Sequence, residues 1–124
     1  MAKKILLVDD SSTVLLMERM ILAAERFEIT TASNGAEAVE QAKRDRPDLI
    51  LMDIVMPRMN GLEACKALRE NEATRSIPII LVTTRSELDT MELGFANGCN
   101  DYVTKPVNST ELLAKIRDIL GGDR

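Results

Sequence analysis

PDLILMDIVMPRMNG, residues 47–61, runs from consecutive apolar residues through a single acid to a turn that opens a helix. Leu49-Ile50-Leu51-Met52 is apolar throughout rather than alternating, the pattern of a strand buried on both faces of a sheet. Asp53 closes that run, Asn60-Gly61 starts a helix, and Leu62, Cys65 and Leu68 recur as one apolar stripe. A doubly buried strand leading into an amphipathic helix is the repeating unit of a parallel α/β sheet.

The same unit recurs on either side. Ile5-Leu6-Leu7-Val8, Ile29-Thr30-Thr31-Ala32, Ile77-Pro78-Ile79-Ile80-Leu81-Val82 and Tyr102-Val103-Thr104 are the other candidate strands. Val14, Met17 and Ile21, then Ala38, Val39 and Ala42, then Leu112, Ile116 and Ile119 mark helices with one apolar face. Asn34 with Glu37, and Asn108 with Glu111, place an N-cap side chain three residues ahead of a carboxylate, and Gly121-Gly122 ends the last helix. The fourth helix, residues 86–97, has few apolar anchors in its first turns and is expected to pack loosely. The reading is (βα)5: one domain over residues 1–124, a doubly wound three-layer sandwich around a parallel five-stranded sheet.

Composition excludes much chemistry. A chain of 124 residues, 45% of them hydrophobic and 29% charged, can build a core without metals or disulfides as staples. Histidine is absent, which removes Ser-His-Asp and Cys-His nucleophile systems, His-ligated zinc and proximal-His haem. Cys65 and Cys99 have no metal-ligand or CxxC spacing and read as buried thiols of a reducing compartment. The methionines at 17, 20, 52, 56, 59 and 91 read as core or loop filler. A net charge of −4 without a basic run argues against direct nucleic-acid binding. No apolar run approaches the roughly 20 residues that span a bilayer, and Met1-Ala2-Lys3-Lys4 lacks a cleavable leader pattern, so no membrane contact and a cytoplasmic location are expected.

In such a sheet, ligands bind beyond the carboxyl ends of the strands. There stand Asp9-Asp10 after the first strand, Asp53 after the third, Thr83-Thr84 after the fourth and Lys105-Pro106 after the fifth. Singly, each has an ordinary explanation: Asp10, Ser11 or Ser12 as a helix cap, a strand-end Lys or Thr as solvated surface, Tyr102 as a half-buried strand aromatic. Together they place three carboxylates at one edge, where each like-charge pair about 4 Å apart costs roughly 4 kcal/mol at an effective dielectric near 20. Lys105 offsets one charge, and a hard dication held by oxygen ligands, Mg2+, offsets the rest. A carboxylate beside Mg2+ and Lys is a known nucleophile for phosphoryl transfer, forming an aspartyl phosphate.

Across ILLVDDSS at 5–12, PDLILMDIVMPRMNG at 47–61, PIILVTT at 78–84 and GCNDYVTKPV at 98–107, the chain resembles the receiver domain of two-component response regulators. The resemblance implies the flavodoxin-like strand order 2-1-3-4-5, shared by the chemotaxis regulator CheY. It implies that Asp53 takes a phosphoryl group from the phosphohistidine of a sensor histidine kinase or histidine phosphotransfer protein. Asp10, Asp53 and the backbone carbonyl of Val55 would ligate Mg2+, with Asp9 reaching it through water. Lys105 would pair with Asp53 and then with a phosphoryl oxygen, Thr83 would move to another, and Tyr102 would rotate inward. The Lys105-Pro106 peptide is expected to be cis. Output would pass through the face of helix four, strand five and helix five to a target protein. A monomer is expected, with dimerisation through that face on activation left open.

Two departures bear on rates. Thr84 stands where the family often has Ala or Gly, narrowing access, while Val55 and Arg85 hold the variable positions that tune hydrolysis. An apolar Val55 cannot orient a hydrolytic water, so slow self-dephosphorylation is expected. The reading is a signalling module and not an enzyme acting on exogenous substrates. A phosphatase of the aspartyl-phosphate type would carry DxD, whereas Ser11 stands two residues after Asp9, and a flavin domain would not open its first loop with two acids. A degenerate receiver acting as an unphosphorylated scaffold is the alternative.

Overall fold

The computed structural model describes residues 2–84 and 89–121. The elements alternate as β1 (Lys3–Val8), α1 (Ser12–Leu22), β2 (Phe27–Ala32), α2 (Gly35–Asp45), β3 (Leu49–Asp53), α3 (Gly61–Glu70), β4 (Ile79–Thr83), α4 (Met91–Ala96), β5 (Asp101–Thr104) and α5 (Ser109–Leu120). All pairings are parallel and the strand order is β2-β1-β3-β4-β5. The three central strands are the apolar runs, and Ile5, Leu7, Leu49, Leu51, Ile80 and Val82 face α1 and α5, while Leu6, Val8, Ile50, Met52, Ile79 and Leu81 face α2, α3 and α4. Two apolar layers thus flank the sheet, each holding helices by burial.

The caps set the helix starts at the ligand-binding edge. Asn60 accepts from the Glu63 backbone N–H at 2.8 Å while Glu63 accepts from the Asn60 N–H at 3.0 Å, a complete capping box. Asn34 and Asn108 cap α2 and α5, each accepting at 2.8 Å from the N–H three residues on. Ser11 caps α1.

Four sequence expectations are corrected. Ile77 and Pro78 precede β4 rather than starting it: Pro78 has no N–H for the ladder, and only its carbonyl is used, accepting from Ile50 N–H at 2.9 Å. The second strand begins at Phe27 and alternates half-buried with exposed, as an edge strand covered on one face does. On α1 the buried residues are Glu18 and Leu22, while Met17 is 50% exposed, so the inward face is rotated from the Val14, Met17, Ile21 stripe. Met17 and Met20 are accordingly surface residues and not filler, unlike the buried Met52, Met56 and Met91. The fourth helix is described only as Met91–Ala96; the start expected at Ser86 lies outside the described residues, as does Gly122.

The far end of α4 is tied to α3. Arg69 donates from Nε to the Gly98 carbonyl at 2.8 Å, from Nη1 to the Ile77 carbonyl at 2.7 Å and from Nη2 to Asn100 Oδ1 at 3.0 Å. Cys65 Sγ donates to the Asn97 carbonyl, and Asn97 Nδ2 to the Leu62 carbonyl. Among the described residues, no helix is long and apolar enough to cross a membrane.

Candidate active site

Strand ends bring the polar residues together because each apolar run stops at the same level of the sheet, with Val8 paired to Met52 and Asp53 to Val82. Asp9 and Asp53 are buried and Asp10 is exposed. One carboxylate oxygen from each of the three lies within 4.8 Å of the others. Lys105, on the segment after β5, places its ammonium 3.1 Å from Asp53 Oδ1 and 3.5 Å from Asp9 Oδ2.

Burial raises the Asp9 pKa above the ordinary aspartate value; the Ser11 N–H, which donates to Oδ1 at 2.9 Å, and the Lys105 charge oppose that without cancelling it. Burial by itself would lower the Lys105 pKa, yet its contacts with Asp53 and Asp9 outweigh this and hold the ammonium above the usual lysine range. Three carboxylates against one ammonium leave an excess of negative charge in a set of hard oxygen donors, which fits a hard divalent cation such as Mg2+.

Thr83 is fully buried and its hydroxyl donates to the Thr84 carbonyl at 3.1 Å. Thr84 is half-buried, Val55 is 59% exposed beside the site, and Arg85 lies outside the described residues. The Lys105-Pro106 peptide is cis. Tyr102 sits farther out, half-buried, edge-on to Phe95 with ring centroids 6.3 Å apart and with Lys115 Nζ 5.1 Å from its ring centre.

The sequence marks Gly61 only as a helix start, and its reading missed Glu18 altogether. Gly61 lets α3 start directly against the strand that carries Asp53: a Cβ there would lie 2.4 Å from the Asp53 carbonyl oxygen, and the Gly61 N–H donates to Ile54 at 2.7 Å. Glu18 is 2% exposed on α1, and burial, reinforced by the nearby Asp9 charge, pushes its pKa up to about 8. The signal for it was an acid interrupting the apolar run LLMERMIL.

The family model for the response regulator receiver domain matches residues 5–117. Protein PilH of Pseudomonas aeruginosa is 39% identical over 119 residues, covering 96% of this chain and 98% of that protein. The alkaline phosphatase synthesis transcriptional regulatory protein PhoP of Bacillus subtilis is 37% identical over 97% of this chain, which spans 49% of PhoP's own length. Among solved structures, the receiver domain of sensor histidine kinase PA1611 from Pseudomonas aeruginosa, with a magnesium ion coordinated in its active-site cleft, superimposes with a TM-score of 0.89 at 31% identity, over 98% of this chain and 99% of that one. With the observed CheY-like strand order and the acid-lysine edge, these matches mean that the chain belongs to the response regulator receiver domain family of two-component signalling.

Proposed function

We propose that the chain, as one domain over residues 1–124, accepts a phosphoryl group on Asp53 from the phosphohistidine of a sensor histidine kinase or phosphotransfer protein. An Asp53 carboxylate oxygen forms the new O–P bond as the histidine N–P bond breaks and the imidazole leaves. The observation that carries this reading is the Lys105 ammonium 3.1 Å from Asp53 Oδ1, with the Asp9 and Asp10 carboxylates at the same edge. Asp10 and Asp53, with the Val55 carbonyl, would hold Mg2+ directly and Asp9 through water. When bound, the ion neutralises charge on the carboxylates and the incoming phosphoryl group. Lys105 pairs with Asp53 and then meets a phosphoryl oxygen.

Output runs from Thr83 to the α4-β5-α5 face. Thr83, at the end of β4, would turn its hydroxyl from the Thr84 carbonyl toward a new phosphoryl oxygen, and Tyr102 would follow into the space behind it. The face offers Leu93 and Phe95, 58% and 48% exposed, which favours a protein target. PhoP, named as a transcriptional regulatory protein, is about twice as long as this chain.

Incubation with acetyl phosphate, with and without Mg2+, followed by intact mass and Phos-tag mobility, tests the reading. A Mg2+-dependent, alkali-labile adduct lost in Asp53→Asn supports it. Absence of an adduct with acetyl phosphate and with donor kinases transfers support to the unphosphorylated scaffold.

A further inference from the structure

Glu18 presents a chemical anomaly outside the phosphoacceptor set. Its Oε1 is buried and has no hydrogen-bond partner among the described residues. An unpartnered buried carboxyl oxygen costs free energy that a leucine in its place would not. The side chain borders a cavity of about 200 Å3 whose other walls are Val14, Met17, Ile21, Lys105, Pro106 and Val107. The walls of that cavity are almost wholly apolar, so Glu18 and Lys105, the two ionisable residues on it, border the same space, and the Lys105 ammonium reaches Asp53 and Asp9 beyond it.

The charges that act on Glu18 come from three elements. Lys105 stands on the segment after β5, Asp9 follows β1 and Asp53 ends β3; the Lys105 charge favours an ionised Glu18, and the two aspartates disfavour it. From α5 the inward residues are Leu112 and Ile116, which carry no charge, and Arg19 on α1 itself is exposed.

We propose that Glu18 is a positioning residue for Lys105: neutral while it keeps its proton, it leaves the ammonium to Asp53, and on losing that proton to solvent it competes with Asp53 for the same cation. The proposal rests on the reading of Asp53 as phosphoacceptor. A neutral carboxyl in an apolar cavity exerts little pull on an ammonium that lies between two carboxylates. An anion there is a third carboxylate for one lysine, in surroundings where charge is weakly screened. Phosphoryl acceptance then falls as the proton leaves, and the unpartnered oxygen is retained at a cost in stability.

Wild type, Glu18→Gln and Glu18→Leu, with Asp53→Asn as control, are compared for acetyl phosphate uptake from about pH 6 to about pH 9.5 in Mg2+, a span that brackets a raised carboxyl. The expected result is a wild-type rate that matches Glu18→Gln at the acid end and falls several-fold below it at the alkaline end. In metal-free protein, carbon-13 NMR of the glutamate carboxyls should show one titrating far above the rest and missing from Glu18→Gln, with the Lys105 Nζ signal tracking it. Glu18→Leu should share the flat pH profile of Glu18→Gln and, freed of the unpartnered oxygen, melt higher than wild type. Adduct formation with identical pH profiles in wild type and Glu18→Gln overturns the proposal. A Lys105 signal indifferent to Glu18→Gln overturns it too, even where no adduct forms; the missing adduct then counts against the phosphoacceptor reading separately.

Discussion

The Lys105 ammonium lies 3.1 Å from Asp53 Oδ1, on a side chain only 27% exposed, and the carboxylate it meets is 6% exposed. A pair this sheltered is bonded strongly, and loss of one partner leaves the other as an uncompensated buried charge. Lys105→Ala should therefore slow acetyl phosphate uptake by roughly 10-fold or more, taking a charged hydrogen bond as about 1.5–3 kcal/mol. Lys105→Arg should recover only part of the rate, because a planar fork does not reproduce a compact ammonium. Stopped-flow or quench-flow phosphorylation kinetics measure both, and a rate unchanged in Lys105→Ala would remove this lysine from the mechanism.

Gly61→Ala should destabilise the protein and slow phosphorylation together. The new methyl would meet the Asp53 carbonyl oxygen at 2.4 Å and Ile54 Cα at 2.9 Å, both backbone atoms that cannot swing aside. Overpacking of this kind costs about 1–3 kcal/mol. Urea unfolding should show the loss, and an alanine variant as stable as wild type would mean that the α3 start can shift without cost.

Val55→Asn should shorten the lifetime of the phosphorylated form. Val55 is 59% exposed beside the site and offers no group to orient an attacking water, whereas an amide there does. Phosphoryl half-lives followed by Phos-tag gels after donor removal decide it, and equal half-lives would detach residue 55 from hydrolysis.

Stability without metal should decline from mildly acid to mildly alkaline pH. Glu18 ionises at about 8 when folded against an ordinary 4.5, so the folded state holds a proton that the unfolded state has released. Its contribution is complete below the unfolded value and is lost as pH rises to the folded one, at no more than about 1.4 kcal/mol per pH unit. The raised Asp9 carboxyl adds in the same direction. Thermal melts of wild type and Glu18→Gln across this span should diverge, with the Gln variant flatter; parallel curves would place the Glu18 titration elsewhere.

The central strands were legible because Ile5 to Val8, Leu49 to Met52 and Ile79 to Val82 are apolar without alternation, and only a doubly covered strand tolerates that. The polar residues that follow them were legible for the same reason: they mark where burial stops. The phase of α1 was not, because Val14, Leu15, Leu16, Met17, Met20, Ile21 and Leu22 supply more apolar residues than one face holds, and contact with the sheet decides among them. This concealed Glu18 and left Leu16, Met17 and Met20 at the surface. Strand order came from the resemblance, since local periodicity carries no information about which strands are neighbours. Arg69 was invisible as well, because its partners are main-chain oxygens brought close only by the finished fold.

That arginine joins α3 to the end of α4 and to the segments that lead into β4 and β5. Arg69 holds the Gly98 carbonyl, Cys65 and Asn97 join the same end of the helix to α3, and a Cβ on Gly98 would lie 2.6 Å from Arg69 Cγ. The C-terminal end of α4 and the turn into β5 are thereby fastened to α3 by three side chains, so that Arg69→Ala would cut the Gly98 end of the face from α3 without touching the acidic edge.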